Sequence, residues 1–438
     1  MLLTLAAALL APRPHPVASV TIEKGAEAWT ATYQLPSDEK AWAFQRSALS
    51  HPERTSWRVG EWQVLADDVR LVRRGDADVI VADKGTVPRT LTLMFKPRTQ
   101  QLFADYEPAL AFSDGSLALF TGHFDLRPEQ TESHAYPNAR VTLKAAGRTI
   151  LVGGHVSKDA AWPEGSPSYA LIGETAPFEN EVMTAFIDPG LPDWAKSELT
   201  DFTPQVMDYY AREMGDLGEA AAKPTILVSW KGPTAGTAGL SGGALPGMIA
   251  MAIEGERIVK PDEDMGHRMR WFIAHEAAHF WLGQKLEYVG AEDAWIMEGG
   301  ADLAAIAATA KLRPGFDVEG ELAREWRDCE EGLAKGTLAS ARQRGDFRMP
   351  YACGAVLMQG GAAVLGSDIF GLARAMLAAE TDGSVSLEDW LALLKTQGAS
   401  ARVLTLARSL VTQETKNPRD LLANWAEATG VQRPQTDR

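Results

Sequence analysis

The first part of the chain alternates apolar and polar side chains with a period of two. Leu91, Leu93 and Phe95 alternate with two threonines and a methionine, and the segments 69–71 and 141–144 repeat the pattern. Proline, glycine and aspartate interrupt these runs at short intervals. This patterning predicts an antiparallel β domain over residues 19–190, which ends at the Pro-Gly-Leu-Pro sequence that begins at position 189.

The pattern changes after residue 190. Apolar side chains recur at helical spacing over 194–217, and short apolar strands are predicted at 225–230 and 247–253. The remainder is mostly helical in pattern. We expect an α+β protein with a second, mostly helical domain over 191–400 and a short helical extension over 401–438.

Composition narrows the classes of function. The 438 residues are 45% hydrophobic and 23% charged, which is typical of a globular protein of more than one domain. A formal net charge of -15 disfavours nucleic acid and anionic membrane surfaces as partners. No segment after the N-terminus has the roughly 20 apolar residues of a membrane span, so no stable span is predicted.

The two cysteines exclude a disulfide-rich scaffold and a zinc site built on several thiolates. Cys329 and Cys353 are expected either to form one disulfide or to remain two buried thiols. Residues 2–11 form an apolar run of the length of a signal-peptide core, and Ala18 could end a cleavage site. A signal peptide over 1–18 would make the protein periplasmic or secreted. Because no Lys or Arg precedes the run, a cytoplasmic location stays open.

The candidate chemistry begins with the sequence His-Glu-Ala-Ala-His. Positions four apart share one face of a helix, so His275 and His279 can direct two imidazoles at one ion. Neutral imidazole is a favoured zinc ligand. Glu276 is adjacent and could reach a water molecule at that ion. The flanking residues from 271 to 282 are apolar, which indicates a buried helix whose polar groups need a partner.

Eighteen residues separate His279 from Glu298, which would supply a third protein ligand and leave the fourth position of a zinc ion open. Asp293 is the predicted N-cap of the helix that carries Glu298, and Pro314 ends that helix. Asp302 lies one helical turn after Glu298. It could accept a hydrogen bond from the outer N–H of a ligating histidine, or it could be an ordinary solvated residue.

These motifs resemble the gluzincin aminopeptidases of the membrane-alanyl-aminopeptidase and leukotriene-hydrolase family. That family has His-Glu-x-x-His, eighteen residues and then Glu, here from His275 to Glu298. Its catalytic tyrosine occurs as Pro-Tyr-x-x-Gly, here from Pro350 to Gly354. The resemblance implies a saddle-like β domain, a thermolysin-like catalytic domain, one zinc ion per chain and a peptide substrate. It makes Glu276 the catalytic base and Tyr351 a donor to the oxyanion, although Tyr351 could simply be a packed aromatic residue.

One position departs from the family. The family's Gly-x-Met-Glu-Asn strand, whose Glu binds the free α-amine of the substrate, corresponds to Gly243 through Gly247. Gly243 and Ala244 are therefore candidate substrate-binding residues, but Pro246 replaces the Glu and would interrupt the strand. The strand at 247–253 could still pair with an extended peptide, and Glu254 or Glu256 could take over the amine.

The prediction is therefore an aminopeptidase-like zinc metallopeptidase. Two other hydrolases fit the same zinc site, an endopeptidase and an enzyme that acts on another amide or on an epoxide. A non-catalytic zinc module in a larger assembly is a rival of a different class. That rival predicts the loss of Glu276 or Tyr351, and both residues are present.

Overall fold

The computed structural model describes residues 17–25, 28–103, 105–132, 136–161, 166–174, 176–217, 223–380 and 383–434. The predicted signal peptide at 1–18 lies outside these residues except for its last two positions. The chain divides into two compact units, Met1–Pro177 and Phe178–Arg438. Each unit has its own apolar core.

The first unit consists of β-strands with short connections. Its strands are β1 (Ser19–Lys24), β2 (Trp29–Gln34), β3 (Ala41–Phe44), β4 (Gln63–Val64), β5 (Val69–Arg74), β6 (Ala77–Ala82), β7 (Thr90–Phe95), β8 (Ala109–Ala111), β9 (Leu117–Phe120), β10 (Leu126–Pro128), β11 (Arg140–Lys144), β12 (Thr149–Val152), β13 (His155–Ser157), β14 (Asp159–Ala161) and β15 (Tyr169–Gly173). They form three sheets, with the orders β14-β11-β1-β2-β7-β4, β10-β3-β6-β5 and β13-β12-β15-β9-β8.

The pairing confirms the predicted antiparallel character. In β7, Leu91, Leu93 and Phe95 are buried and the residues between them are more exposed, as the period-two pattern requires. Within the described part of this unit, the named strands pair in antiparallel fashion except β1 and β11, which pair in parallel. A parallel pair needs a long connection rather than a hairpin, and periodicity does not reveal it.

The second unit begins with a five-stranded sheet. Its strands are β16 (Phe178–Glu179), β17 (Thr184–Ile187), β18 (Thr225–Trp230), β19 (Gly239–Leu245) and β20 (Met248–Glu254), in the order β16-β17-β18-β20-β19. The observed division after Pro177 precedes the predicted one at 190, because β17 pairs in parallel with β18 and belongs to the later sheet. A two-stranded pair, β21 (Glu287–Tyr288) and β22 (Ser384–Val385), lies farther along.

Helices make up the rest of this unit. They are α1 (Asp193–Met214), α2 (Glu263–Ala278), α3 (Trp295–Leu312), α4 (Val318–Leu333), α5 (Met349–Val364), α6 (Ile369–Ala379), α7 (Leu387–Thr396), α8 (Ala401–Thr412) and α9 (Pro418–Thr429). Among the described residues no single helix is long and apolar enough to cross a membrane, although α5 and α6 would pass by length and composition as a pair bent by 85°.

The last two helices are integral to the second unit rather than an extension of it. Trp425 of α9 is fully buried, and its indole nitrogen donates to the carbonyl oxygen of Val356 in α5 at 3.1 Å. Gly360 leaves room for this indole, since a side chain there would overlap its ring. The segment predicted as a separate extension over 401–438 therefore contributes to the same core as the catalytic motifs.

Two local predictions are settled near α3 and α4. Asp293 does not cap α3, because the helix begins after Ala294 without a side-chain cap. Asp293 instead lies in a 3-10 turn and accepts a hydrogen bond from the backbone N–H of Leu387 at 3.0 Å, which ties α7 to the start of α3. Cys329 and Cys353 form a disulfide that joins α4 to α5.

Helices α3 and α5 touch through their backbones. A methyl group on Gly299 would overlap the backbone of Gly354, and one on Gly354 would overlap the carbonyl oxygen of Trp295. Glycine at both positions is what lets the helices approach this closely. The contact lies one residue after Glu298 and three residues after Tyr351, so it fixes two candidate site residues relative to each other.

We expect Gly299→Ala to lower the free energy of unfolding by about 3 kcal/mol, because its methyl group has only backbone to displace. The adjacent Gly300 offers a matched control, since a methyl group there would first meet the terminal methyl group of the Leu282 side chain, at 2.9 Å, and no backbone atom. Gly300→Ala should stay within about 1 kcal/mol of wild type in urea denaturation. Equal losses for the two variants would contradict a rigid contact at Gly299.

Candidate active site

Helix α2 positions the two histidines at its C-terminal end. The helix starts at the N-cap Asp262, whose carboxylate accepts from the backbone N–H of Met265 at 3.0 Å. Its last residue is Ala278, so His275 lies in the final turn and His279 is the C-cap. The two side chains still face the same side, because the backbone of His279 keeps a helical conformation.

Three predicted ligands converge at this point. The Nε2 atoms of His275 and His279 are 3.1 Å apart. Oε2 of Glu298, from α3, lies 3.7 Å from the first Nε2 and 3.4 Å from the second. Within the described residues this is the group of three potential ligands whose donor atoms all lie within 4.8 Å of one another.

The outer nitrogens of both histidines are held by acceptors. Nδ1 of His275 lies 2.7 Å from Oδ1 of Asp302, and Nδ1 of His279 lies 2.8 Å from the carbonyl oxygen of Leu282. In neutral imidazoles both Nδ1 atoms therefore carry the proton, and both Nε2 atoms present lone pairs to each other. A cation between them removes that repulsion, so the residues present fit a zinc ion.

The electrostatics agree with a site built for a cation. Burial lowers the pKa of His275, but the Asp302 and Glu298 carboxylates outweigh burial and hold that pKa well above its usual value. Burial favours the neutral form of Glu298, yet the two imidazoles hold its pKa well below the usual range. Without a metal ion a proton occupies the histidines, so zinc must compete with protons and its affinity should fall as pH falls.

Glu276 is buried beside the three candidate ligands, and its carboxylate contacts strand β19. Its carboxylate accepts a hydrogen bond from the backbone N–H of Ala244 in β19. Burial raises the pKa of Glu276, while the neighbouring histidines oppose the rise. A carboxylate with a raised pKa is a better proton acceptor and donor near neutral pH than an ordinary surface Glu.

Tyr351, near the start of α5, lies on the other side of the cluster. Its ring stacks on the imidazole of His275, with centroids 5.5 Å apart, and its hydroxyl bonds to the Glu298 carboxylate. Burial and then the nearby carboxylates of Glu298 and Glu276 raise its pKa well above 10.0. The hydroxyl therefore stays protonated and available as a hydrogen-bond donor.

Asp302 is fully buried, so it is not the solvated residue that the sequence left open. Its second oxygen lies 3.1 Å from Nη1 of Arg348. Arg348 also pairs with Glu325 and Asp328 of α4 and directly precedes α5. This network of one arginine and three carboxylates joins three helices behind His275. The sequence analysis did not single out Arg348. Its position two residues before Pro350, which opens the tyrosine motif, was the signal that could have pointed to it.

Arg342 is a second residue that sequence reasoning missed. Its Nη2 lies 3.1 Å from Oε1 of Glu298, the oxygen that faces away from the histidines. Its Nη1 lies 3.4 Å from the hydroxyl of Tyr288. Arg342 belongs to the connection between α4 and α5, where no periodic pattern marks it.

The candidate substrate strand differs from the prediction. Gly243 and Ala244 lie on β19, which is the edge strand, whereas β20 is covered by β18 and β19 and cannot accept a peptide. Pro246 does not interrupt the strand. With Gly247, whose φ is +68°, it forms the two-residue turn between β19 and β20. Gln284 holds this turn by bonding to the N–H of Gly247 and to the carbonyl of Leu245.

The fold is that of M1 zinc metallopeptidases and LTA4 hydrolase. Yeast LTA4 hydrolase superposes with a TM-score of 0.57 at 14% identity, covering 92% of this chain and 68% of that chain. An M1 zinc metallopeptidase variant from Deinococcus radiodurans, bound to a Tyr-Ser-Ala substrate, superposes with a TM-score of 0.52 at 17% identity, covering 91% and 93%.

A two-domain M1 zinc metallopeptidase variant bound to L-arginine gives a TM-score of 0.51 at 17% identity, with the same coverage of 91% and 93%. No protein-family model matches the sequence, and no curated protein sequence matches it. The structural likeness thus confirms the predicted fold class and the resemblance to the gluzincin aminopeptidases at the level of the fold.

We expect about one zinc ion per purified chain, and we expect His279→Ala to lose it, since two remaining ligands hold zinc poorly. His267→Ala is the matched control, because His267 lies on the same helix outside the cluster. Elemental analysis after dialysis measures both. Full zinc occupancy in His279→Ala, or equal loss in the control, would show that the cluster is not the metal site.

Proposed function

We propose that the protein is a zinc metallopeptidase of the aminopeptidase-like type, which hydrolyses peptide bonds. The observation that carries the proposal is the convergence of His275, His279 and Glu298 with the buried carboxylate of Glu276 beside them. Three protein ligands leave one position open, which is typical of a catalytic rather than a structural zinc site. The fold shared with M1 zinc metallopeptidases supports the same reaction class.

His275, His279 and Glu298 would hold the zinc ion, which lowers the pKa of a water molecule and polarises a carbonyl group. Glu276 accepts the proton of the attacking water and passes it to the leaving amine. Its hydrogen bond from Ala244 keeps the carboxylate aimed at the gap between α2 and β19. Tyr351 donates a hydrogen bond from its hydroxyl to the carbonyl oxygen as negative charge develops there.

Strand β19 is the surface on which an extended peptide would align. In an antiparallel hairpin with a two-residue turn, Leu245 and Met248 form the hydrogen-bonded pair next to the turn. Ala244 and Gly242 therefore turn their backbone groups away from β20, and the contact between Ala244 and Glu276 agrees with this alternation. A peptide added to this edge would lie directly along the catalytic carboxylate.

The position that supplies the amine-binding carboxylate in the family has no carboxylate in this chain. Pro246 occupies the position of the family's amine-binding Glu, and it lies in the turn. Glu254 pairs with Gly239 at the opposite end of β19, which places it about 17 Å along the strand from Ala244. This favours, as a second candidate function, cleavage that does not depend on a free α-amine, as in an endopeptidase.

We expect Glu276→Gln to retain zinc but to lose turnover by about 10²–10⁴-fold, because an amide cannot accept the proton of water. Glu263→Gln, in the first turn of the same helix, is the matched control and should keep wild-type rates. Peptide hydrolysis followed by mass spectrometry measures both. Near wild-type turnover in Glu276→Gln would remove this residue from the mechanism.

We expect acetylation of a peptide's N-terminus to change kcat/KM by less than about tenfold, since Pro246 replaces the carboxylate that binds the ammonium group in the family. The measurement compares one peptide with a free and with an acetylated amine. A fall of about a hundredfold on acetylation, about 2.7 kcal/mol, would establish an amine anchor and a strict aminopeptidase.

A further inference from the structure

Arg342 places a cation beside the candidate site, in contact with the Glu298 carboxylate. Its guanidinium contacts the Glu298 carboxylate and the hydroxyl of Tyr288, and its side chain remains 35% exposed. The guanidinium also lies over the ring of Tyr288, 5.7 Å from its centroid, which holds it in one orientation. The side chain is thus both anchored beside a zinc ligand and open to solvent.

The positive charge of Arg342 is only partly compensated. A guanidinium has five N–H donors, and the contacts recorded among the described residues use one on each terminal nitrogen. Glu298, its single carboxylate partner there, is shared with the two histidines and would give its charge to a bound zinc ion. Arg348 provides the contrast, since it pairs with three carboxylates, those of Asp302, Glu325 and Asp328.

The position of Arg342 limits which part of a substrate it can reach. It touches the carboxylate that would hold the zinc ion, so a group bound to it must belong to the scissile residue or its direct neighbour, since one residue spans only about 3.5 Å. Guanidinium binds carboxylates through paired, parallel hydrogen bonds. The site therefore offers a guanidinium that can bind an anionic group of the substrate. The family's carboxylate, which binds a cationic group of the substrate, is replaced by Pro246.

We propose that Arg342 binds a carboxylate of the substrate next to the scissile bond, which makes short peptides with such a group the preferred substrates. This rests on the proposed peptidase function. The carboxylate can be the α-carboxylate of a C-terminal residue or the side chain of an acidic residue. Both sources present the same planar anion, so the experiment includes one arm for each.

The substrates are three dipeptides, each with one scissile bond: Ala-Phe with a free carboxylate, its C-terminal amide, and the amide of Ala-Glu. The enzymes are wild type, Arg342→Ala, Arg342→Lys and the control Arg402→Ala, whose side chain is exposed and pairs with Glu427 on α9. Product release is followed by mass spectrometry, and zinc content is measured for every variant.

Wild type should cleave Ala-Phe with a kcat/KM roughly a hundredfold higher than that for its amide, because the amide leaves the charged donor of Arg342 unpaired. Arg342→Ala should remove most of that preference, chiefly through KM, so that its loss of kcat/KM on Ala-Phe exceeds its loss on the amide by at least about tenfold. Arg342→Lys should restore only part of the preference for Ala-Phe, because an ammonium group cannot form the paired hydrogen bonds of a guanidinium. If wild type cleaves Ala-Glu amide faster than Ala-Phe amide, the acidic side chain is identified as a source of the bound carboxylate.

Three results would overturn the proposal. They are equal rates of wild type on all three dipeptides, equal losses on all three for Arg342→Ala, and loss of zinc from Arg342→Ala, which would make Arg342 a support for Glu298 only. If no peptide is cleaved, the proposed function fails separately. Calorimetry on zinc-loaded Glu276→Gln, with and without Arg342→Ala, then decides the matter. Binding of Ala-Phe that is no tighter than binding of its amide contradicts the role of Arg342.

Discussion

The candidate site depends on the orientation of two imidazole rings. Because the outer Nδ1–H groups face Asp302 and the carbonyl of Leu282, the Nε2 lone pairs of the neutral His275 and His279 rings face each other across 3.1 Å. That arrangement is unfavourable without a cation and favourable with one. The rest of the second unit keeps it in place. Asp302 is buried on α3 and is itself fixed by Arg348, and the same helix supplies Glu298.

Packing between helices fixes the other candidate site residues relative to the two imidazole rings. The glycine contact between α3 and α5 sets the separation of Glu298 and Tyr351, and the disulfide joins α5 to α4, where the partners of Arg348 lie. The edge strand β19 approaches α2 closely enough for Ala244 to bond Glu276. The candidate ligands, base, hydroxyl donor and peptide-binding edge thus come from four elements that contact one another, α2, α3, α5 and β19.

The sequence predicts the parts of the site that have a period. His275 and His279 share a helical face, Asp302 follows Glu298 by one turn, and the structure brings these groups together. The sequence does not predict Arg342, because this residue lies in a connection without a repeating pattern, and only the nearby Pro350 motif marks the place of Arg348. The sequence places the substrate-binding candidates Gly243 and Ala244 correctly before a strand at 247–253, but it allows that strand to pair with a peptide, whereas the sheet order makes it the interior strand β20. The edge strand β19 is rich in glycine and lacks the alternation that would mark it as a strand.

The central claim is that His275, His279 and Glu298 form one catalytic zinc site. Anomalous diffraction at the zinc absorption edge, from crystals of the untreated protein, tests it directly. The account predicts one strong peak within about 2.0–2.2 Å of the two Nε2 atoms and of Oε2 of Glu298, with a fourth position held by solvent. A peak elsewhere, a fourth protein ligand that closes the site, or no peak after zinc is added would contradict the account.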